Sequence, residues 1–394
     1  MQQLASLYSF SPEMKVLFSS IKAYMVQKAN GKETEIAVDE RKVLKLAKFH
    51  RIRPLLFEYD KKTALLSKKN KEYLKIFVTQ NALKNLKDIY HTKKLLQQFE
   101  TAGIPAILHK GLQYQFEIYE NPQLRERGDI DVLVQKKDVL PCINILKDQG
   151  FGSEILNPDQ SETEIGQHIE KLLSLNYIYQ LPLNNKDLLL DFQWGVKSDF
   201  HSFHFPYPSI FYKATFKDFY GIKVLQVDKE SLFWLMIIHH GGKDQWMRLR
   251  HLSDLSAYMK NYSNQIDWEA ILVTARSYRL QQVLLDGFQY LKTLLSISLP
   301  APIEERLETH ENRVYKMVFN IWQNCTWGDS RFELISLYIR YLNRDNGNFD
   351  PGYYIKNLQH HYQKKQAMAY PEKYTPTDFI YDTIKLPIKL LRNK

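Results

Sequence analysis

The sequence predicts an α+β protein in which helices at both ends enclose a mixed centre of short strands and helices. Residues 1 to about 100 carry apolar side chains at spacings near three and four among lysines and glutamines, the period of an amphipathic helix. Between 101 and 228, short apolar runs alternate with glycine, proline and asparagine turn signals, the pattern of strands. After Asp228 the helical period returns and persists. The expected division is therefore an N-terminal helical region (1–100), an α/β core (101–228) and a C-terminal helical domain (229–394).

Taken in order, Leu83, Leu86, Tyr90, Leu96 and Phe99 mark the expected apolar face of the last N-terminal helix, which stops at Gly103. IPAIL (104–108) reads as a short strand, with Pro105 arguing for an edge or for the strand's first residues. HKG turns the chain at 109–111, LQYQFEIY (112–119) is a helix, and ENPQLRERG (120–128) is a loop. DIDVLVQ follows as a strand, and Asp138 is placed to cap a helix through VLPCINILKDQ that ends at Gly150. LNYIYQLP (175–182) and DLLLDFQWGV (187–196) flank a short hairpin-like connection, and IKVLQV (222–227) adds a strand. Beyond it come helical stretches beginning at ESLFWLMIIHH, LRHLSDLSAYMK and WEAILVTARSY; NRDNGNFDPG (343–352) reads as a loop.

Composition narrows the function. With 394 residues, 44% of them hydrophobic and 13% aromatic, the chain has material for two or three well-filled domains. Its longest apolar run, Leu232 to Ile238, falls far short of the roughly 20 residues that span a bilayer, so no transmembrane segment is expected. The start, MQQLASLYSFSPEMK, lacks a basic segment, an apolar block and a small-residue cleavage site, so a cytoplasmic location is expected. Two cysteines, Cys142 and Cys325, argue against a disulfide framework or a cysteine metal cluster. A net charge of +10 favours anionic partners, but the lysines are spread along the helices, and a solvated basic surface explains them equally well. The terminal IYDTIKLPIKLLRNK could rest on a membrane surface, although Pro387 interrupts its helix and a packed tail explains it better.

The chemistry concentrates in RGDIDVLV (127–134). On a strand, Asp129 and Asp131 leave the same face and share one small space, where each resists ionisation unless a cation sits nearby. An Arg-Gly-Asp adhesion ligand would need an exported loop, which this strand is not. A strand, a Lys-Gly turn, a helix, an arginine-bearing loop and a strand with two acids together suit phosphoryl or nucleotidyl transfer. Paired carboxylates hold magnesium (or manganese) ions about 4 Å apart, one activating the attacking oxygen and the other stabilising the leaving pyrophosphate. Lys110 and the Gly111 turn can approach phosphates, and Arg125 or Arg127 can clamp them with a fork of donors. Asp191, in the apolar strand LLLDFQW, is the candidate third acid or base. His240, before Gly241 and Gly242, either is held structurally by Asp254 or joins Lys243 and Trp246 over the cleft to hold a nucleotide. Neighbouring His239 and His240 diverge by about 100° on a helix, which argues against a histidine metal pair.

These residues resemble a known family. Residues 104–134 are similar to the signature of the uncharacterised bacterial nucleotidyltransferase-like family within the DNA polymerase beta superfamily, matching it at Lys110, Gly111, Tyr119, Arg125, Asp129 and Asp131. Asp191 in LLLDFQWGV resembles a later family strand whose usual histidine appears here as Gln193, and HHGGKDQWMRLRHLSDL (239–255) resembles its C-terminal His, Trp, Leu and Asp series. The resemblance covers roughly residues 84 to 260. It implies a mixed or antiparallel sheet with helices packed on it, and magnesium-dependent transfer of a nucleoside monophosphate from a nucleoside triphosphate to a hydroxyl or amine, with a small molecule or peptide as the favoured acceptor. The expected nucleotide-binding residues are Lys110, Gly111, Arg125 and His240, and Asp129, Asp131 and Asp191 are the expected metal ligands and catalytic acids. The superfamily's phosphate-binding serine is missing, because Leu112 follows Gly111. A catalytically degenerate nucleotide-binding or interaction protein, or an enzyme modifying nucleic-acid ends, are the alternatives; nucleic acid is the less favoured because no stripe of interleaved basic and aromatic residues is evident.

Overall fold

The computed structural model describes residues 10–26, 37–153, 156, 161–197, 201–325, 338–340, 342–345 and the single positions 352, 359, 363 and 377. Most of the loop at 343–352 and the segment from 380 onward lie outside the described residues.

The chain opens with four helices: α1 (Pro12–Val26), α2 (Glu40–His50), α3 (Arg53–Thr63) and the 34-residue α4 (Lys68–Thr101). Asp39 caps α2 by accepting from the amides of Arg41 and Lys42, as a short acid at that position does. The core that follows runs β1 (Ala106–His109), α5 (Gly111–Glu117), β2 (Ile130–Val134), α6 (Val139–Asp148), α7 (Glu162–Ser174), β3 (Gln180–Asn184), β4 (Leu189–Gln193), α8 (Ser209–Lys213), β5 (Thr215–Phe219) and β6 (Ile222–Gln226). Helices then return as α9 (Lys229–Met236), a π-helical turn (Ile237–Lys243), α10 (Leu249–Tyr262), α11 (Trp268–Tyr278), α12 (Gln281–Leu295), α13 (Ala301–Glu308) and α14 (Tyr315–Asn324). Asp228, where helical periodicity resumes in the sequence, caps α9 by accepting from the Ser231 amide.

The six strands form one mixed sheet in the order β3-β4-β2-β1-β6-β5. β1 runs antiparallel to β2 and parallel to β6, and β2 runs parallel to β4. The fold is thus the expected α+β class with flanking helices. β1 is central, and Pro105 precedes its first residue, so the missing amide interrupts no ladder.

Three local expectations change. Asp138 precedes α6, but its side chain makes no capping bond because a 3-10 turn at Lys136–Asp138 leads into the helix. Second, two elements, α7 and β5, lie outside those expected from the sequence. α7 is marked by its Ser161/Glu164 capping box and by Ile165, Ile169 and Leu172, which lie at helical spacing and are its buried face. β5 pairs with β6 across a two-residue turn at Tyr220 and Gly221, whose φ angles of 51° and 80° suit a tight hairpin. The third change concerns α4. Leu96 and Phe99 are buried as expected, but Leu83, Leu86 and Tyr90 are 63%, 59% and 54% exposed. Their place on the inner face is taken by Asn81, Asn85, Asp88 and Thr92, for a reason that lies in the site.

Alternation along the strands sorts the interior into two cores. Ile130, Val132, Val134, Leu190 and Phe192 face a core shared with the end of α4, α6 and α7. Ile107, Leu133 and Leu225 face the other way, into a larger core built jointly by the N-terminal and C-terminal helices. Asp131 precedes Leu133 by two residues and therefore emerges on that second side. Among the described residues, no helix is long and apolar enough to cross a membrane.

Candidate active site

The parallel pairing of β2 with β4 sets Asp131 opposite Asp191 in register, as it sets Leu133 opposite Gln193. Adjacent strands lie about 4.8 Å apart, so two acids on the same face in register share one space. Asp129, just before β2, is exposed on the same side, and among the described residues its carboxylate has no hydrogen-bond partner. Asp131 is 5% exposed, and its Oδ1 accepts from Lys110 Nζ at 3.0 Å and Gln193 Nε2 at 2.9 Å. Gln180 Nε2 donates to Asp191 at 3.2 Å, and Gln193 Nε2 reaches it at 3.4 Å. Burial pushes the Asp131 carboxyl up to about 6, with Lys110 opposing the shift and the Asp129 and Asp191 charges reinforcing it. Asp191 is raised by burial and by Asp129, again against Lys110.

Lys110 connects β1 to α5 with φ 51° and ψ −120°, a conformation that costs a non-glycine residue energy and persists only where its surroundings hold it. The ion pair with Asp131 is part of that hold.

The loop before Asp129 is clamped from three directions. Arg125 donates from Nε and Nη2 to Asp254 of α10 at 2.8 and 2.9 Å, and from Nη1 to the Gly111 carbonyl at 3.1 Å. Glu126 accepts from the Arg53 amide at 2.7 Å and from its guanidinium at 2.6 Å. Arg127 reaches Asn85 at 3.1 Å and Asp88 at 3.2 Å on α4, and Lys84 donates to the Gly128 carbonyl at 3.0 Å. The polar inner face of α4 is therefore the seat of this loop, and Leu83, Leu86 and Tyr90 rotate outward because buried charges take precedence over exposed methyl groups.

Opposite the sheet, the π-helical turn and the start of α10 supply His239, Lys243, Asp244, Arg248 and Arg250. The turn widens where Gly241 meets Trp246: a Cβ there would stand 2.2 Å from Val283 Cγ1 and 2.9 Å from the indole nitrogen, which itself donates to the Val283 carbonyl at 2.9 Å. Together with Arg51, at the left-handed end of α2, these residues face the acids across a cavity of about 220 Å³. Burial lowers Arg248 to about 9, with Arg51 and Arg250 adding to the shift, and lowers Arg250 to about 10, with Arg125 and Arg51 adding. Lys243 is lowered by burial, with Asp244, Asp191 and Asp131 opposing. Crowded cations held below their usual range form a surface that gains from an anion.

Of the residues expected from sequence, Lys110, Gly111, Arg125, Asp129, Asp131 and Asp191 all line this cavity. His240 does not: it is 0% exposed, its Nε2 lies 2.8 Å from Asp254, and its ring stacks on His251 at 4.5 Å. The histidine at the cavity is His239. Tyr119 joins the same buried cluster, donating to Asp254 at 2.8 Å, and Trp246 is packed in the helical core. Arg125 borders the cavity but spends its three nitrogens on protein partners. Leu112 is fully buried in the core that the sheet shares with the end of α4, α6 and α7, so no side chain stands in for a phosphate-binding serine at that position. Of the facing wall, Lys243 was the residue the sequence placed over the cleft; Arg51, Asp244, Arg248 and Arg250 were not singled out there.

Fold and site together define a mixed α+β protein whose sheet presents an acid cluster to a cation-lined cleft, an arrangement suited to polyanionic ligands. Residues 37–296 match the model of an uncharacterised nucleotidyltransferase family, and the chain belongs to that family, which makes it a transferase-type protein. The match is wider than the 84 to 260 stretch in which the resemblance is visible by eye, and it contains every residue that lines the cavity. No curated protein and no solved structure matches the chain.

Proposed function

We propose that the protein transfers a nucleoside monophosphate from a nucleoside triphosphate to a hydroxyl or amine acceptor, on a fold related to DNA polymerase beta and with the help of magnesium or manganese. The observation that carries this reading is the register that sets Asp131 beside Asp191, with Asp129 at the same cavity and cations on the facing wall. The donor set suits a hard divalent ion. Asp129 and the outer oxygen of Asp131 are available, and these are the residues that would hold it, with Asp191 beside them. Among the described residues, no three acidic, histidine or cysteine side chains already stand close enough to hold a metal by themselves. That is the expected state for magnesium, which takes one or two carboxylates and completes its ligands with phosphate oxygens and water. When bound, the ion would neutralise charge developing on the transferring phosphate.

The protein's own part is positioning and charge. Lys110, Lys243, Arg51, Arg248 and Arg250 receive the triphosphate, while Arg125 and Arg127 fix the loop that carries Asp129. Calorimetric titration of ATP, GTP, CTP and UTP with magnesium, beside Asp129→Asn/Asp131→Asn, tests the reading. One triphosphate should bind in a magnesium-dependent way and be lost in the variant.

A second reading, a nucleotide-binding protein without catalysis, draws on one fact: Lys110 already neutralises Asp131 at 3.0 Å. Triphosphate binding that ignores magnesium and survives the double variant would select it.

A further inference from the structure

The π-helical turn and α10 hold a hydrogen-bonded chain that begins at a buried carboxylate and ends at the cavity. Asp254 is fully enclosed; burial alone would raise its carboxyl, but Arg125 and His240 hold it far below the usual range. An ionised carboxylate only accepts, so His240 Nε2, 2.8 Å away, carries a proton and donates it. His240 is neutral, kept so by burial against the pull of Asp254. Its Nδ1 is therefore unprotonated and accepts. His239 Nδ1 lies 3.0 Å from that nitrogen and must be the donor. The proton of His239 thus sits on Nδ1, and its Nε2 carries a lone pair. His239 is half-buried and lines the cavity, and among the described residues no protein group bonds to that nitrogen. The order of donors along the chain is set at one end by the Arg125–Asp254 pair.

We propose that His239 is the general base of the transfer, with Nε2 taking the proton of the acceptor hydroxyl or amine. The inference rests on the nucleotidyl-transfer reading above. As the acceptor's proton moves to Nε2, its oxygen or nitrogen forms a bond to the α-phosphorus, the bond to the β-phosphate oxygen breaks, and pyrophosphate leaves with that electron pair. The resulting imidazolium returns its proton to solvent. His240 and Asp254 are positioning residues: they hold the tautomer and the ring. Asp191, whose carboxylate already accepts from Gln180 and Gln193, is left to the cation side of the site.

The surroundings make the base conditional. Burial holds the His239 imidazole well below its usual range, with Asp244 opposing and Lys110, His240 and Lys243 adding to the depression. His251, from α10, faces it with ring centroids 6.5 Å apart. A triphosphate seated on Lys110 and Lys243 cancels two of those positive charges and makes the imidazole a better base once the donor is bound.

The test uses the full chain labelled with ¹⁵N-histidine. Two-bond ¹H–¹⁵N spectra report the tautomer of His239, assigned by its disappearance in His239→Gln, with and without magnesium and the α,β-methylene analogues of ATP, GTP, CTP and UTP. The expected result is an Nδ1–H tautomer whose pKa rises when an analogue binds. His239→Gln should bind the analogue as the wild type does, yet release pyrophosphate from the matching triphosphate about a hundredfold more slowly, the lower end of what a general base contributes. An Nε2–H tautomer, or wild-type pyrophosphate release by His239→Gln, would overturn the base role alone. Failure of all four analogues to bind would remove the transfer reading and the base role with it.

Discussion

Asp254→Asn tests the most buried part of the site's framework. The carboxylate is 0% exposed and accepts four bonds, two from Arg125 and one each from Tyr119 and His240, at 2.8 to 2.9 Å. Asparagine has the same shape but one acceptor oxygen, and its amide group would point at groups that are themselves donors. Arg125, 3% exposed, would lose the carboxylate it is paired with. Removing one partner of such a buried pair costs about 3–5 kcal/mol. That is a large share of the roughly 5–15 kcal/mol by which domains are stable. Urea unfolding followed by tryptophan fluorescence reports the change as a shift of midpoint at constant slope. The same acid sets a pH signature. Its folded pKa is depressed, so its stabilisation is present above the unfolded value of about 3.9 and is lost progressively as pH falls below it toward the folded value; the variant should lack this loss. Arg125→Met in the Asp254→Asn background should restore part of the stability, because the orphaned charge is then gone. A midpoint shift worth less than about 1 kcal/mol, or a double variant weaker than Asp254→Asn, would refute the reasoning.

Other consequences follow from the same geometry. Asp191 is raised in the folded state, so its ionised form works against folding above the unfolded value of about 3.9. Asp191→Asn should therefore melt at a higher temperature than the wild type at pH 7.5, and the difference should narrow as pH falls through the raised folded value toward the unfolded value of about 3.9; calorimetry across that range decides it. Because burial pushes the Asp131 carboxyl up to about 6, a divalent cation must displace its proton below that pH. Magnesium-dependent triphosphate affinity should be flat above pH 7 and fall by up to about tenfold per unit below 6, and a titration series showing tighter binding in acid would contradict this. Gly241→Ala would drive a methyl group to 2.2 Å from Val283 and against Trp246. It should cost about 1–3 kcal/mol or more in thermal or urea unfolding, with a changed tryptophan spectrum.

Much of the site was legible because its chemistry is local in sequence. Asp131 lies on β2 and Asp129 just before it, and a two-residue spacing in nearly extended chain brings both to one side; Lys110 and Gly111 sit at a strand-to-helix turn for equally local reasons. The α4 face was misread because periodicity counts apolar residues and cannot weigh them against a charged loop arriving from 40 residues further on. His239 and His240 are adjacent in the chain, and which of them reaches the cavity depends on the π-helical turn and on Asp254, neither of which has a periodic signature.

The sequence by itself determined the α+β class, the central acid strand and the helical ends, since backbone period and turn chemistry act over a few residues. Only the tertiary structure decided that Asp191 is the register partner of Asp131, that Arg125 is bonded to Asp254, and that Arg51, Lys243, Arg248 and Arg250 form the facing wall. Those choices belong to strand pairing and to the compensation of buried charge, which join residues as distant as Arg125 and Asp254, 129 positions apart, and are settled only when desolvated groups must find one another.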